Sequence, residues 1–400
     1  MKNIVLLIAC CLFAKAAVAQ QPLIAFVPDK DIRDIGLFSE GLAWALTPGG
    51  SYGYIDTTGK MVIRPQFREA GTFREGLAIV GQSVNGTIRY GYVNRQGRLV
   101  VPCQYEDAYD FSCGRAAVRK NDVWEYIDRQ GKTALGPAFI RIDSIIDKTY
   151  GGAYTEIKAR PLSFHNGRLL VRKGKLHGFV DTAGHWVIPP AYAWAREFSD
   201  GVAVVAGKEI QQDSMPGNSE LAQLYNKLPA GGPEYTTLVI DSTGKPLFTT
   251  AVKGLEEFVD GAALFYQDDK WGLMDKKGNF LIAPTFADQP YPVSCGVFFT
   301  QVNGNAEGNR DGYLQIYNTT GQSTGKTPLC NAEGHCIYDS HRAFFAGLMA
   351  VQVEDKWGFV DTTGKMVIPP VYKKISDFAE SHAAVKTADG TLQVLRNPVK

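Results

Sequence analysis

The chain has 400 residues, 45% of them apolar, and a formal net charge of +1. That composition belongs to a folded protein rather than a disordered one. The near-zero charge gives no basic excess to draw the chain to nucleic acid or to an anionic membrane.

The first residues read as an export leader. Lys2 supplies the positive start, Ile4 to Phe13 is an apolar run too short to span a bilayer, and Ala17-Val18-Ala19 is a small-x-small cleavage site. Residues 1–19 are therefore expected to leave, with Gln20 beginning a single domain over 20–400. A competing reading is a lipoprotein signal, with Leu7-Ile8-Ala9 before Cys10. Periplasmic or secreted localisation is expected. No later stretch is apolar enough to cross a membrane as a helix.

From residue 38 onward one short string keeps returning. Tyr52-Gly-Tyr-Ile-Asp-Thr-Thr-Gly-Lys-Met-Val-Ile-Arg-Pro-Gln-Phe67 is one copy, and Trp357-Gly-Phe-Val-Asp-Thr-Thr-Gly-Lys-Met-Val-Ile-Pro-Pro-Val-Tyr372 is a near duplicate. β-Branched and aromatic residues mark strands. In the first full unit these are read as Tyr52 to Asp56, Lys60 to Ile63, and Gly76 to Gly81. An Asp-x-x-Gly turn joins the first two, the Asp side chain bonding backbone amides and the Gly accepting positive φ. The turn residues are Asp56 and Gly59, Asp181 and Gly184, Asp275 and Gly278, and Asp361 and Gly364, with further copies beginning at Asn94, Asp128, Asp241 and Asn318. A structural role in closing each turn accounts for these carboxylates better than a row of metal ligands or acid-base pairs.

A second landmark is Phe-x-x-Gly, at Phe38, Phe73, Phe111, Phe164, Phe198, Phe258 and Phe344. A Phe at one place in every unit reads as a core ladder, since buried aromatics contribute the most area per residue. The Gly after the leading aromatic (Gly53, Gly91, Gly178, Gly272, Gly358) is expected to admit a neighbouring backbone or ring. Leading aromatics Tyr52, Tyr90, Trp124, Trp271 and Trp357 are expected to lie in the core; if exposed they would suit sugars or peptides.

A repeat of this kind predicts an all-β array of about eight stacked three-stranded antiparallel units. Three strands per unit favour an open or curved solenoid, with a β-propeller as the alternative, because propeller blades carry four. Partial units at the ends are expected to act as caps. Insertions fall near 141–166, 208–235, 301–311 and 326–343; the second includes a helix-like stretch from Asn218 to Leu228.

Chemistry-bearing motifs are sparse. Gly321-Gln-Ser-Thr-Gly-Lys-Thr327 is one residue short of a phosphate-binding loop and precedes Pro328. Cys330, His335 and Cys336 fit no zinc spacing; a disulfide between Cys330 and Cys336 is the better expectation in an oxidising compartment. Cys113 and Cys295 share one repeat position in distant units, so no bond between them is expected. Catalytic, metal and cofactor residues are expected to be none.

The string Lys-Trp-Gly, standing at Lys270-Trp271-Gly272 and Lys356-Trp357-Gly358, is followed by Asp-x-x-Gly and a strand ending in Pro, which at the second copy reads Val-Ile-Pro-Pro. With Phe-x-x-Gly-x-Ala it resembles the WG-repeat family of bacterial proteins. The resemblance covers nearly the whole chain after residue 19. It implies an array of small antiparallel units and a generic binding role, with no catalytic or cofactor residues. The expected function is an exported, non-enzymatic monomeric scaffold for a protein or cell-envelope glycan. The alternative is a hydrolase with its site in the insertions.

Overall fold

A computed structural model describes residues 23–139, 142–145, 158–209, 235–252, 254–302, 313–328, 343–353 and 355–399. Most of the insertions, the helix-like stretch at 218–228, the leader, and Cys330, His335 and Cys336 lie outside the described residues.

The described chain is all-β apart from a single 3₁₀ turn at Pro137–Phe139. Nine small antiparallel sheets follow one another. Unit 1 holds Leu42–Leu46, Tyr52–Asp56 and Met61–Phe67. Unit 2 holds Leu77–Val84, Thr87–Asn94 and Leu99–Tyr105. The strand beginning near residue 76 thus pairs forward with Thr87–Asn94 and not with Tyr52–Asp56, as the sequence reading had it. Each Phe-x-x-Gly opens a unit rather than ending one, because its Gly-containing turn feeds directly into the first strand.

Units 3 to 8 begin at Ala116, Leu169, Val202, Ala262, Val297 and Leu348. Unit 9 pairs His382–Lys386 with Leu392–Arg396, and its third strand is Ile24–Phe26 from the other end of the chain. The two partial units expected as separate caps are therefore joined. The link segments Asp34–Ile35, Glu69–Ala70, Asp107–Ala108 and Lys374–Ile375 add a short fourth strand to units 1, 2, 3 and 9. One further two-stranded ladder, Ile142–Ile145 with Lys158–Pro161, lies within the first insertion.

The array is closed, as in the propeller alternative. Besides the shared sheet, the buried cluster of Ile32, Ile35, Phe38, Ala43, Ala45 and Ile55 takes in Ala384, Leu392 and Val394 from the far end. Closure follows from the repeat itself. Every unit presents an apolar flank to each neighbour, and an open array would leave two of them in water.

The inter-unit core is the aromatic ladder. Phe38, Phe73, Phe111, Phe164, Phe198, Phe258, Phe344 and Phe378 are all buried. Several meet the second strand of the preceding unit edge-on: Phe73 on Tyr54 at 4.9 Å, Phe111 on Tyr92 at 4.8 Å, Phe198 on Phe179 at 4.7 Å and Phe378 on Phe359 at 4.8 Å. Edge-to-face geometry adds about 0.5–1.5 kcal/mol to area burial. Where the second strand carries Tyr, its hydroxyl donates to a backbone carbonyl of the next link, as Tyr54 does to Gly71 at 2.9 Å and Tyr92 to Tyr109 at 2.7 Å.

The Gly after the leading aromatic has the expected reason. A Cβ at Gly53 would stand 2.4 Å from the carbonyl oxygen of Ile63, and at Gly358 2.5 Å from that of Ile368. The third strand bulges there, just before its Pro, and presses against the second. Unit 3 has Glu125 at this place, and its third strand shrinks to Thr133–Leu135.

Candidate functional site

The Asp-x-x-Gly residues serve their turns. Asp56 Oδ1 accepts the amides of Thr58 at 2.9 Å and Lys60 at 3.0 Å. Asp181 takes those of Ala183 and His185, Asp275 those of Lys277 and Asn279, and Asp361 those of Thr363 and Lys365. Gly59, Gly184, Gly278 and Gly364 all have positive φ. Burial alone would raise the Asp56 pKa; the Thr58 hydroxyl and the two amides outweigh it and hold the carboxyl below its usual range. At Asp181 the His185 amide leads the lowering. Asn94 and Asn318 bond the same way.

A second recurring device was not foreseen. Two residues past the ladder position, which is Val293 in unit 7 and Phe elsewhere, stand Glu40, Glu75, Cys113, Asn166, Asp200, Asp260, Cys295, Ala346 and Glu380, and every one has positive φ. Its side chain reaches the equivalent turn of the next unit. Glu40 accepts the Gly76 amide at 2.8 Å, and Glu75 those of Cys113 and Gly114 at 2.6 and 2.8 Å. Cys113 Sγ accepts Gly167, Asn166 accepts Gly201, Asp200 accepts Gly261, Asp260 accepts Gly296, and Cys295 Sγ accepts Gly347. Ala346 lacks a side-chain acceptor, and there Asn397 bridges, donating its side-chain amide to Ala346 O at 2.9 Å and its backbone amide to Ser381 O at 2.8 Å. Glu380 returns to Glu40 and Gly41. The sequence signal was a side-chain acceptor at this position in eight of nine units, ahead of Gly in seven and of Ser381 in the last.

This accounts for Cys113 and Cys295, which are free thiols; no bond joins the two, as their equivalent places in distant units led one to expect. Cys103 is also free, and burial pushes its pKa up to about 11. Tyr52, Tyr90, Trp124, Trp271 and Trp357 are neither core nor fully exposed; each is half-buried. Burial and a hydrogen bond to Glu69 push Tyr90 up to about 12. The segment 321–327 forms a hairpin turn and the strand Ser323–Pro328, with no helix to aim amides at a phosphate. Among the described residues no group of three His, Cys, Asp or Glu could hold a metal, and no helix is long and apolar enough to cross a membrane.

The candidate site is a cavity of about 370 Å³ at the ring seam, where units 9, 1 and 2 meet. It is hollow for a reason visible in the links. Two residues before the ladder Phe, other units carry Tyr109, Leu162 and Arg196, whereas units 1, 2 and 9 carry Gly36, Gly71 and Ser376. Trp44 fills part of the gap; a Cβ on Gly36 would collide with its indole at 2.1 Å. Asp34, Thr72, Lys374, Asp377 and Lys386 supply the charged and hydroxyl part of the lining. Asp34 Oδ2 pairs with Lys374 Nζ at 2.9 Å and with Lys386 Nζ at 3.7 Å.

The family model described as "WG containing repeat" matches residues 52–83, 90–124, 178–206, 271–305 and 357–390. The chain is a WG-repeat protein. The matched stretches of this WG-repeat chain fall on units 1–2, 2–3, 4–5, 6–7 and 8–9. Among curated proteins none has a sequence that matches it. The crystal structure of BamB from Moraxella catarrhalis is similar at a TM-score of 0.40 and 13% identity, covering 93% of this chain and 98% of that one. The WD40 β-propeller domain of Doa1 is similar at a TM-score of 0.26 and 10% identity, covering 93% and 96%. Ring closure in the WG-repeat chain rests on its own contacts, given above.

Proposed function

We propose that this WG-repeat protein is an exported, non-enzymatic scaffold that binds a protein or a cell-envelope glycan. The supporting observation is the division of labour along the chain. The recurring Asp, Gly and Phe residues, and the acceptor two residues past the ladder position, are spent on turns, inter-unit bonds and core. What varies from unit to unit is the insertions and the seam, so recognition belongs there. A closed ring holds the seam groups in fixed relation, which lowers the ordering cost of binding there.

The test takes the purified mature chain against an array of envelope glycans and, separately, through cross-linking in an envelope extract. A variant with residues 208–235 replaced by a short Gly-Ser loop serves as the comparison. The proposal expects a specific glycan or one enriched cross-linked protein, saturable by free chain. No saturable partner in either assay would overturn it.

A further inference from the structure

The geometry points to the seam cavity as a binding site for a carboxylate-bearing sugar of about disaccharide size. This rests on the glycan arm of the binding reading and names where and how the ligand is held. The cavity's volume of about 370 Å³ falls at the small end of ligand pockets.

The lining sets the ligand chemistry. Lys386 is three-quarters buried, and its ammonium stands 3.7 Å from Asp34, beyond hydrogen-bond reach. Lys374 spends one of its donors on Asp34, at 2.9 Å. An ammonium carries three N–H groups, so both lysines have donors to give an incoming anion. Asp34 and Asp377 accept only, which suits ligand hydroxyls. Thr72 adds a hydroxyl, while Trp44, Leu37 and Ile35 supply an apolar wall for the C–H face of a sugar ring. A simple cation would face two lysines, and a purely apolar molecule would strip four charges of water without replacing their bonds. A hydroxylated carboxylate brings an acceptor for the two lysines and hydroxyl donors for the carboxylates.

The location supports the assignment. Asp34 and Lys374 occupy the same position in units 1 and 9, and they meet only because the ring closes. Trp44 stands where units 2, 3 and 4 carry Ile79, Ala117 and Leu170, so the seam has an indole wall where those units have only an aliphatic side chain.

The test uses a matched pair of probes, cellobiouronic acid and cellobiose, which differ by one carboxylate, with alanylalanine as a peptide control. Binding to the full mature chain is read by calorimetry. The expected result is saturable binding of cellobiouronic acid, at least about tenfold weaker binding of cellobiose, and a loss of about tenfold or more in K374Q/K386Q, as follows from removing charge-assisted hydrogen bonds. Circular dichroism and melting of K374Q/K386Q establish that it folds, and T72V is a milder second variant with an expected smaller loss. Equal binding of both sugars, no binding of either, preference for alanylalanine, or no loss in a folded K374Q/K386Q would each overturn the inference. If that variant still captures the partner found on the array or by cross-linking, the scaffold reading stands and the seam assignment alone fails.

Discussion

The Glu380 carboxylate accepts the backbone amides of Glu40 and Gly41 at 2.5 and 2.7 Å, across 340 residues of chain. The same bond, made by Glu40 to Gly76 and by Glu75 to Gly114, runs through the interior of the ring. The last unit therefore treats the first as its next neighbour. Around this join lie the Asp34–Lys374 pair and the strand Ile24–Phe26 laid against Leu392–Arg396.

Removing that acceptor weakens the join without emptying the core. E380A is expected to lower stability by about 1 kcal/mol, since a bond to a charged acceptor is worth about 1.5–3 kcal/mol and exposure reduces it. E380Q, which keeps an acceptor oxygen, loses less. Urea denaturation midpoints at constant slope measure both. A loss in E380A no greater than in a surface control such as E257A would contradict the relay.

The ladder carries far more. F73A deletes a buried ring that packs edge-on against Tyr54. The expected loss is about 3–5 kcal/mol, the range for a buried Phe truncated to Ala. Thermal melting of F73A beside the half-buried W357A, which costs less, ranks core against rim.

Two glycines of different kind are expected to fail for different reasons. G358A drives a Cβ to 2.5 Å from Ile368 O, and backbone there cannot yield cheaply. G114A meets nothing within 4 Å but keeps a φ of +73°. The first is expected to cost about 1–3 kcal/mol by overpacking, the second about 1–2 kcal/mol of left-handed strain. D-alanine introduced at residue 114 by semisynthesis relieves the second cost, while at residue 358 it changes the clash rather than removing a φ penalty.

Acid weakens the fold through its turns. Asp56, Asp181, Asp241 and Asp275 all have lowered folded pKa values. Each therefore stabilises fully above the ordinary carboxylate range, and the contribution is lost as pH falls through the lowered values. Asp110 runs the other way: burial raises it, with Arg74 opposing, so its contribution is present at low pH and lost as pH rises through its folded value. The four turn carboxylates outnumber it, and melting temperature is expected to drop on acidification. Asn at those four positions keeps the turn, as Asn94 and Asn318 already do, and flattens the acid slope.

Much of this architecture was legible in the chain. Asp-x-x-Gly announced its turn because the chemistry is local, complete within five residues. The Phe ladder and the small residue at Gly53 were legible for the same reason: a repeated position repeats its environment. Ring closure was not, since it depends on the accumulated rotation of nine units, which no single unit encodes. The third strand of unit 9 comes from the opposite end of the chain, so the terminal units looked like caps. The seam cavity was missed because it arises from what Gly36 and Ser376 lack, seen only once units 9 and 1 are adjacent. Leading aromatics such as Trp271 sit half-buried because the strand edge covers one face of the ring and water reaches the other.

Closure is tested most directly by hydrogen exchange at the amides bonded across the join: Glu40 and Gly41, which donate to Glu380, and Arg396, which donates to Leu23 O at 2.7 Å. A closed ring predicts slow exchange at all three, with selective loss of protection at Arg396 when residues 20–27 are deleted and at Glu40 and Gly41 in E380A. Exchange at the rate of free edge-strand amides in the intact chain, unchanged by either alteration, would contradict it.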